Sequence, residues 1–127
     1  MKNNPLKILC IEDDKDTCEL IAFVFEQAGY SVEACSQKDC LKLIREERFL
    51  AIILDNYFVE LSGVQICQEF RSFNQTTPVI FFSGEARQEE IAKALSAGAN
   101  DYLIKPNDFE KLLPTTIKLI EESENQI

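Results

Sequence analysis

The chain contains no histidine. That excludes His-based catalytic triads, imidazole metal sites and any role as a phosphohistidine carrier, because each needs a ring nitrogen as base, ligand or nucleophile. Long apolar runs are missing as well. No stretch approaches the roughly 20 residues that a membrane-spanning helix requires. The opening Met1-Lys2-Asn3-Asn4-Pro5 lacks the apolar core of a signal peptide. The expected location is the cytoplasm, without membrane association. Basic runs are equally absent. Lys and Arg number 13 against 22 Asp and Glu, a net charge of −9. Such a surface has no cationic footprint for displacing counterions, so no direct nucleic-acid partner is expected. Finally, the five cysteines (Cys10, Cys18, Cys35, Cys40 and Cys67) contain no Cys-x-x-Cys pair. An odd set placed among apolar residues reads as reduced core filler, not as a disulfide framework or zinc site.

What is present is enough for one domain. The 127 residues, 46% of them hydrophobic, can build a core without staples. Short apolar runs at Leu6–Ile11, Tyr30–Cys35, Ala51–Leu54, Val79–Phe82 and Tyr102–Ile104 read as strands, most of them apolar on both faces. Helical periodicity fills the intervals. Asp14–Ala28 carries Leu20, Ile21, Val24, Phe25 and Ala28 on one stripe, with Gly29 as terminator. Ser36 with Asp39 marks the start of a helix through Cys40, Leu41 and Ile44. A third helix runs through Val64, Cys67 and Phe70, and a fourth spans Glu85–Ala97 with Ile91, Ala94 and Leu95 inward. The fifth follows Phe109, Leu112, Leu113, Thr116, Ile117 and Ile120, with Pro114 inside it expected to kink or restart it. No repeat or linker interrupts this order. The expectation is one domain over residues 1–127, with a core of about 6–120 and a polar tail from about Glu121.

Five βα units predict an α/β, flavodoxin-like, doubly wound parallel sheet of strand order 2-1-3-4-5, since crossovers are right-handed. In such sheets ligands bind beyond the carboxyl ends of the strands. There the sequence places Glu12-Asp13-Asp14, Asp55, Ser83 and Lys105-Pro106. Clustered carboxylates repel one another, and a hard divalent cation relieves that. Asp55 can then act as a nucleophile toward phosphorus, with Lys105 and a hydroxyl balancing the oxygens of the transferred group.

This constellation resembles the receiver domain of two-component response regulators, over about Leu6 to Ile120. The resemblance implies that Asp55 is the phosphoacceptor and that Glu12, Asp13, Asp55 and the backbone carbonyl of Tyr57 ligate Mg²⁺ or a similar cation such as Mn²⁺. Ser83 and Lys105 would hold the phosphoryl group, and Tyr102 would be the aromatic switch. Pro106 would form a cis bond with Lys105, and Gly63 would occupy the family's usual glycine position. The implied partners are a histidine kinase or His-containing phosphotransfer protein as donor and a protein effector downstream, with a homodimer also open. Met1 and the polar tail read as those of a stand-alone regulator of the chemotaxis or phosphorelay kind. Three positions depart from the pattern: Phe58-Val59 stands where Met-Pro is usual, Gly84 where Ala is commoner, and Pro114 lies within the last helix.

Each assignment has a plainer alternative. Asp14 and Asp16 suit the cap of the first helix. Ser83 could cap the helix after it, Lys105 could be a surface lysine, and Tyr102 could be a strand aromatic with its hydroxyl in water. At the level of the whole chain, the alternative is a receiver-like interaction module that works without phosphorylation. A flavin-binding reading fails on charge, because Glu12-Asp13-Asp14 would repel the flavin phosphate. An aspartyl phosphatase would show Asp-x-Asp after its first strand, a spacing absent here.

Overall fold

A computed structural model describes residues 7–56 and 61–124. The strands are β1 (Lys7–Ile11), β2 (Val32–Cys35), β3 (Phe49–Leu54), β4 (Val79–Ser83) and β5 (Asp101–Ile104). The helices are α1 (Lys15–Gln27), α2 (Gln37–Glu46), α3 (Gly63–Arg71), α4 (Gln88–Ser96) and α5 (Phe109–Glu124). All strand pairings are parallel, in the order β2-β1-β3-β4-β5. The expected architecture is therefore the one observed.

Side chains alternate across each strand, and this splits the core into two layers. Ile8, Cys10, Ala51, Ile53, Ile80, Phe82 and Leu103 pack with α1 (Cys18, Ile21, Phe25) and α5 (Leu112, Ile120). Leu9, Ile11, Ile52, Leu54, Phe81 and Tyr102 pack with α2 (Cys40, Ile44), α3 (Ile66, Cys67, Phe70) and α4 (Ala94). Each fully buried aliphatic or aromatic side chain contributes about 1.5–3 kcal/mol. The central strand β3, buried on both faces over Ala51–Leu54, is thus a rigid arm that ends at Asp55.

Several local expectations change. On α1 the buried stripe is Cys18, Ile21 and Phe25, while Leu20 is 51% exposed and Ala28 lies at the surface. Leu95 of α4 is likewise 45% exposed. Helix α4 begins at Gln88, three residues after the expected Glu85, because Glu85 and Arg87 spend their polar groups on loop contacts. Helix α5 is continuous through Pro114. The proline is exposed, so water can serve the Glu110 carbonyl that loses its helical donor. It also runs on to Glu124, into what the sequence presents as a polar tail. The thiols are all free, four buried and Cys35 partly so. Among the described residues, no helix is long and apolar enough to cross a membrane. The expected strand residue Leu6 and the Phe58-Val59 departure lie outside the described residues.

Candidate functional site at the carboxyl ends of the strands

The alternation that builds two core layers also sorts the polar residues at the strand ends. Glu12, Asp55 and Lys105 follow the α1/α5 phase set by Cys10, Ile53 and Leu103, whereas Asn56, Ser83 and Tyr102 follow the α2–α4 phase. The backbone brings the first group together, with Asp55 N–H donating to the Ile11 carbonyl at 3.1 Å.

Lys105 Nζ lies 2.5 Å from Glu12 Oε1 and 3.4 Å from Asp55 Oδ2. Its peptide bond to Pro106 is cis. The stem passes Phe82, whose ring centre is 5.8 Å from the ammonium. Burial is the largest influence on this ammonium and pushes it down, but the combined pull of Glu12 and Asp55 leaves it above the ordinary lysine value. Glu12 is 7% exposed, and its other oxygen accepts from Asp14 N–H at 3.0 Å. Asp55 is 9% exposed and borders a cavity of about 400 Å³ together with Gly84, Glu85 and Lys105.

Asp13 is placed differently. It is exposed and accepts from Gln37 N–H at 3.1 Å. Asp14 caps α1, accepting from Thr17 N–H at 3.0 Å, which with the Thr17 hydroxyl holds its carboxyl below the ordinary range.

On the other phase, Ser83 is fully buried, and its hydroxyl oxygen accepts from Glu85 N–H at 3.2 Å. The hydroxyl therefore tightens the loop after β4, while α4 takes its cap from Arg87. Its own proton faces the Tyr102 hydroxyl oxygen. Tyr102 is turned inward at 8% exposure, stacked on Phe81 with centroids 5.3 Å apart. Its hydroxyl donates to the Glu85 carbonyl at 2.7 Å. Burial raises its pKa above the ordinary value, partly offset by hydrogen bonds from Asn56 and Ser83.

Gly63 explains how α3 can begin so close to Asp55. A Cβ there would lie 2.3 Å from the Asp55 carbonyl oxygen and 2.9 Å from the Phe81 ring, so only glycine fits. The Gly63 amide donates to the Asn56 carbonyl at 3.2 Å.

Two residues of this region carry no signal in the sequence. Asn56 is buried between α3 and Tyr102, and Arg87 grips the Glu85 carboxylate through Nε and Nη2, both at 2.9 Å. That grip and the Arg87 amide hold the Glu85 carboxyl down at about 2.

Among the described residues, no group of three or more acidic or thiol side chains lies close enough to cage a metal. Mg²⁺ does not need a cage, since it keeps waters and takes one or two carboxylates. Asp55, which lines the cavity, can meet part of that modest demand, while Asp13 is engaged by Gln37 N–H and both Glu12 oxygens by Lys105 and Asp14. The Tyr57 carbonyl lies outside the described residues.

Strand order, the cis Lys-Pro bond and the buried Glu12–Lys105–Asp55 group define a class, and comparison with known proteins gives it a name. Residues 8–116 match the response regulator receiver domain, and the chain belongs to that family. The transcriptional regulatory protein HprR of Escherichia coli K12 is 38% identical over 109 residues, which are 85% of this chain and 48% of HprR. The chain spans about half the length, or less, of curated relatives of this kind. A CheY-like receiver domain protein of Methanospirillum hungatei JF-1 superposes with a TM-score of 0.89 at 25% identity, covering 97% of this chain and all of that one. The receiver domain of the sensor histidine kinase PA1611 from Pseudomonas aeruginosa PAO1, with magnesium in its active-site cleft, gives 0.81 at 26% identity over 93% and 99% of the two chains. Receiver domains of response regulators are signalling modules, not metabolic enzymes, and they work with histidine kinases and effector domains.

Proposed function

We propose that the whole chain is one receiver domain in which Asp55 takes a phosphoryl group from a phosphohistidine on a histidine kinase or phosphotransfer protein. The observation that carries this reading is the Lys105 ammonium reaching a buried Asp55 at the edge of an open cavity, with Glu12 behind it. An Asp55 Oδ attacks phosphorus, the P–N bond of the donor breaks, and the imidazole nitrogen leaves with the electron pair. Asp55 becomes an acyl phosphate. Water later splits it to inorganic phosphate and the free carboxylate.

The chain's own residues do the positioning. Lys105 turns from its carboxylate partners toward the phosphoryl oxygens, and the Ser83 proton supplies a second donor. Asp55 and Asp13, with Glu12 and the Tyr57 carbonyl alongside, would hold Mg²⁺, which when bound neutralises phosphoryl oxygens during transfer. The acyl phosphate adds roughly −1.5 to −2 of charge. The loop after β4 then repacks toward it and alters the surface met by a downstream effector, a shift between two populations. The setting is cytoplasmic.

Acetyl phosphate tests the reading with a small donor. Intact mass should rise by one phosphoryl group in the wild type with Mg²⁺, and should not rise in Asp55→Ala or after metal removal by EDTA. Equal labelling of wild type and Asp55→Ala would reject Asp55 as acceptor. No labelling of a folded wild type would favour an interaction module that works without phosphate.

A further inference from the structure

Asn56 follows the acceptor directly, is 7% exposed, and has a carboxamide whose orientation is fixed by its neighbours. The Val64 amide can only donate, so the atom 3.2 Å from it must be the oxygen Oδ1. Nδ2 therefore faces the Tyr102 hydroxyl at 3.5 Å. Because Nδ2 has no acceptor capacity, the Tyr102 oxygen must receive that hydrogen bond. Its own proton then goes to the Glu85 carbonyl at 2.7 Å. The result is a one-way chain of donors: Val64 N–H to Asn56, Asn56 to Tyr102, and Tyr102 to the loop that precedes α4.

We infer that Asn56 is a positioning residue that holds Tyr102 inward and so ties the loop after β4 to the acceptor strand. The inference rests on the phosphoacceptor reading only for its signalling consequence. The tie itself is a property of the phosphate-free protein. Two further facts make Asn56 suited to it. Its backbone carbonyl accepts from Gly63 N–H at 3.2 Å, so the residue is anchored at both backbone and side chain to the start of α3. Tyr102 is stacked almost parallel on Phe81, at 8°, so its ring has little freedom to drift while the hydroxyl stays bonded. Asn56, which directly follows Asp55, thus links the end of β3 with an aromatic that bonds the loop before α4.

The experiment uses the full chain with fluorotyrosine at its three tyrosines. The ¹⁹F resonance of Tyr102 is assigned by Tyr102→Phe, and Tyr30 is the internal reference. Two variants separate the halves of the contact. Asn56→Leu removes both bonds. Val64→Pro removes the amide at the start of α3 and keeps the Asn56 Nδ2 donor for Tyr102, whereas Asn56→Asp is avoided because its carboxylate would accept the Tyr102 proton. Asn56→Leu should raise the solvent-exposed population of Tyr102 about fivefold, the worth of one ordinary hydrogen bond, with circular dichroism unchanged, and Val64→Pro should leave it closer to the wild type. If Asn56 only supports α3 through Val64, the two variants change Tyr102 equally, and the inference is overturned. An unchanged Tyr102 in folded Asn56→Leu overturns it too. Should Asn56→Leu fail to fold, Asn56→Ala takes its place. Acetyl phosphate labelling is run in parallel: a wild type that does not label rejects the phosphoacceptor reading, yet the phosphate-free comparison still judges Asn56.

Discussion

Helix α4 is held at its two ends by different kinds of chemistry. The end far from the site is fastened by Arg71, which donates to the Gly98 carbonyl at 3.0 Å, the Asn74 carbonyl at 3.1 Å, the Thr77 carbonyl at 2.8 Å and Asn100 Oδ1 at 3.0 Å. Asn100 in turn pairs with the Val79 backbone in both directions. The end near the site has no side-chain cap and hangs on single hydroxyls: Tyr102 on the Glu85 carbonyl and Ser83 on the Glu85 amide. A half-buried guanidinium with four acceptors costs several kcal/mol to undo, whereas one neutral hydrogen bond is worth about 1 kcal/mol. An event at Asp55 can therefore rearrange the near end while the far end keeps its place. Fixity and responsiveness sit nine residues of helix apart.

The comparison is broken most directly at Arg71. Arg71→Leu removes four hydrogen bonds at once, three of them from backbone carbonyls, and should lower unfolding free energy by about 3 kcal/mol in a urea titration. A loss below about 1 kcal/mol would mean the far end is not specially anchored. Gly98→Ala should cost somewhat less, about 2 kcal/mol by the same measurement. Gly98 has φ +111°, and an added Cβ would meet Arg71 Cγ at 2.6 Å. An unchanged midpoint would show that the loop can yield, against the picture of a fixed end.

The smallest effect belongs to the near end. Arg87→Ala should leave the urea midpoint almost unmoved, because Arg87 is largely exposed and its pair with the partly exposed Glu85 is screened by water. Its signature is titration. The Glu85 carboxyl, held at about 2, should return toward the ordinary 4.5 when followed by carboxyl ¹³C NMR. The sign follows from the depressed value: the pair's stabilisation is complete above the ordinary carboxylate range and disappears as pH falls from about 4.5 toward 2. A Glu85 that still titrates near 2 without Arg87 would point to a different partner.

Much of this was legible in the sequence, for reasons that can be named. Apolar runs such as Ile52-Ile53-Leu54 encode a strand buried on both faces, and the residue after such a run must emerge at the strand's end. That logic located Asp55, Ser83 and Lys105. It could not separate Glu12 from Asp13, since adjacent residues leave a strand on opposite sides, one toward Lys105 and one toward Gln37. The start of α4 was misplaced because Glu85-Ala86-Arg87 has helical propensity, but its polar groups are claimed by Ser83, Tyr102 and each other. Asn56 was invisible for the same reason. Its partners lie 8 and 46 residues away, and no local pattern marks them.

The close packing at Gly63 has a practical use. Its missing methyl is what lets α3 abut the Asp55 carbonyl. Replacing it with alanine would displace the Asp55 main chain without adding or removing any charge. Position and electrostatics, normally inseparable in such a pocket, could then be varied one at a time.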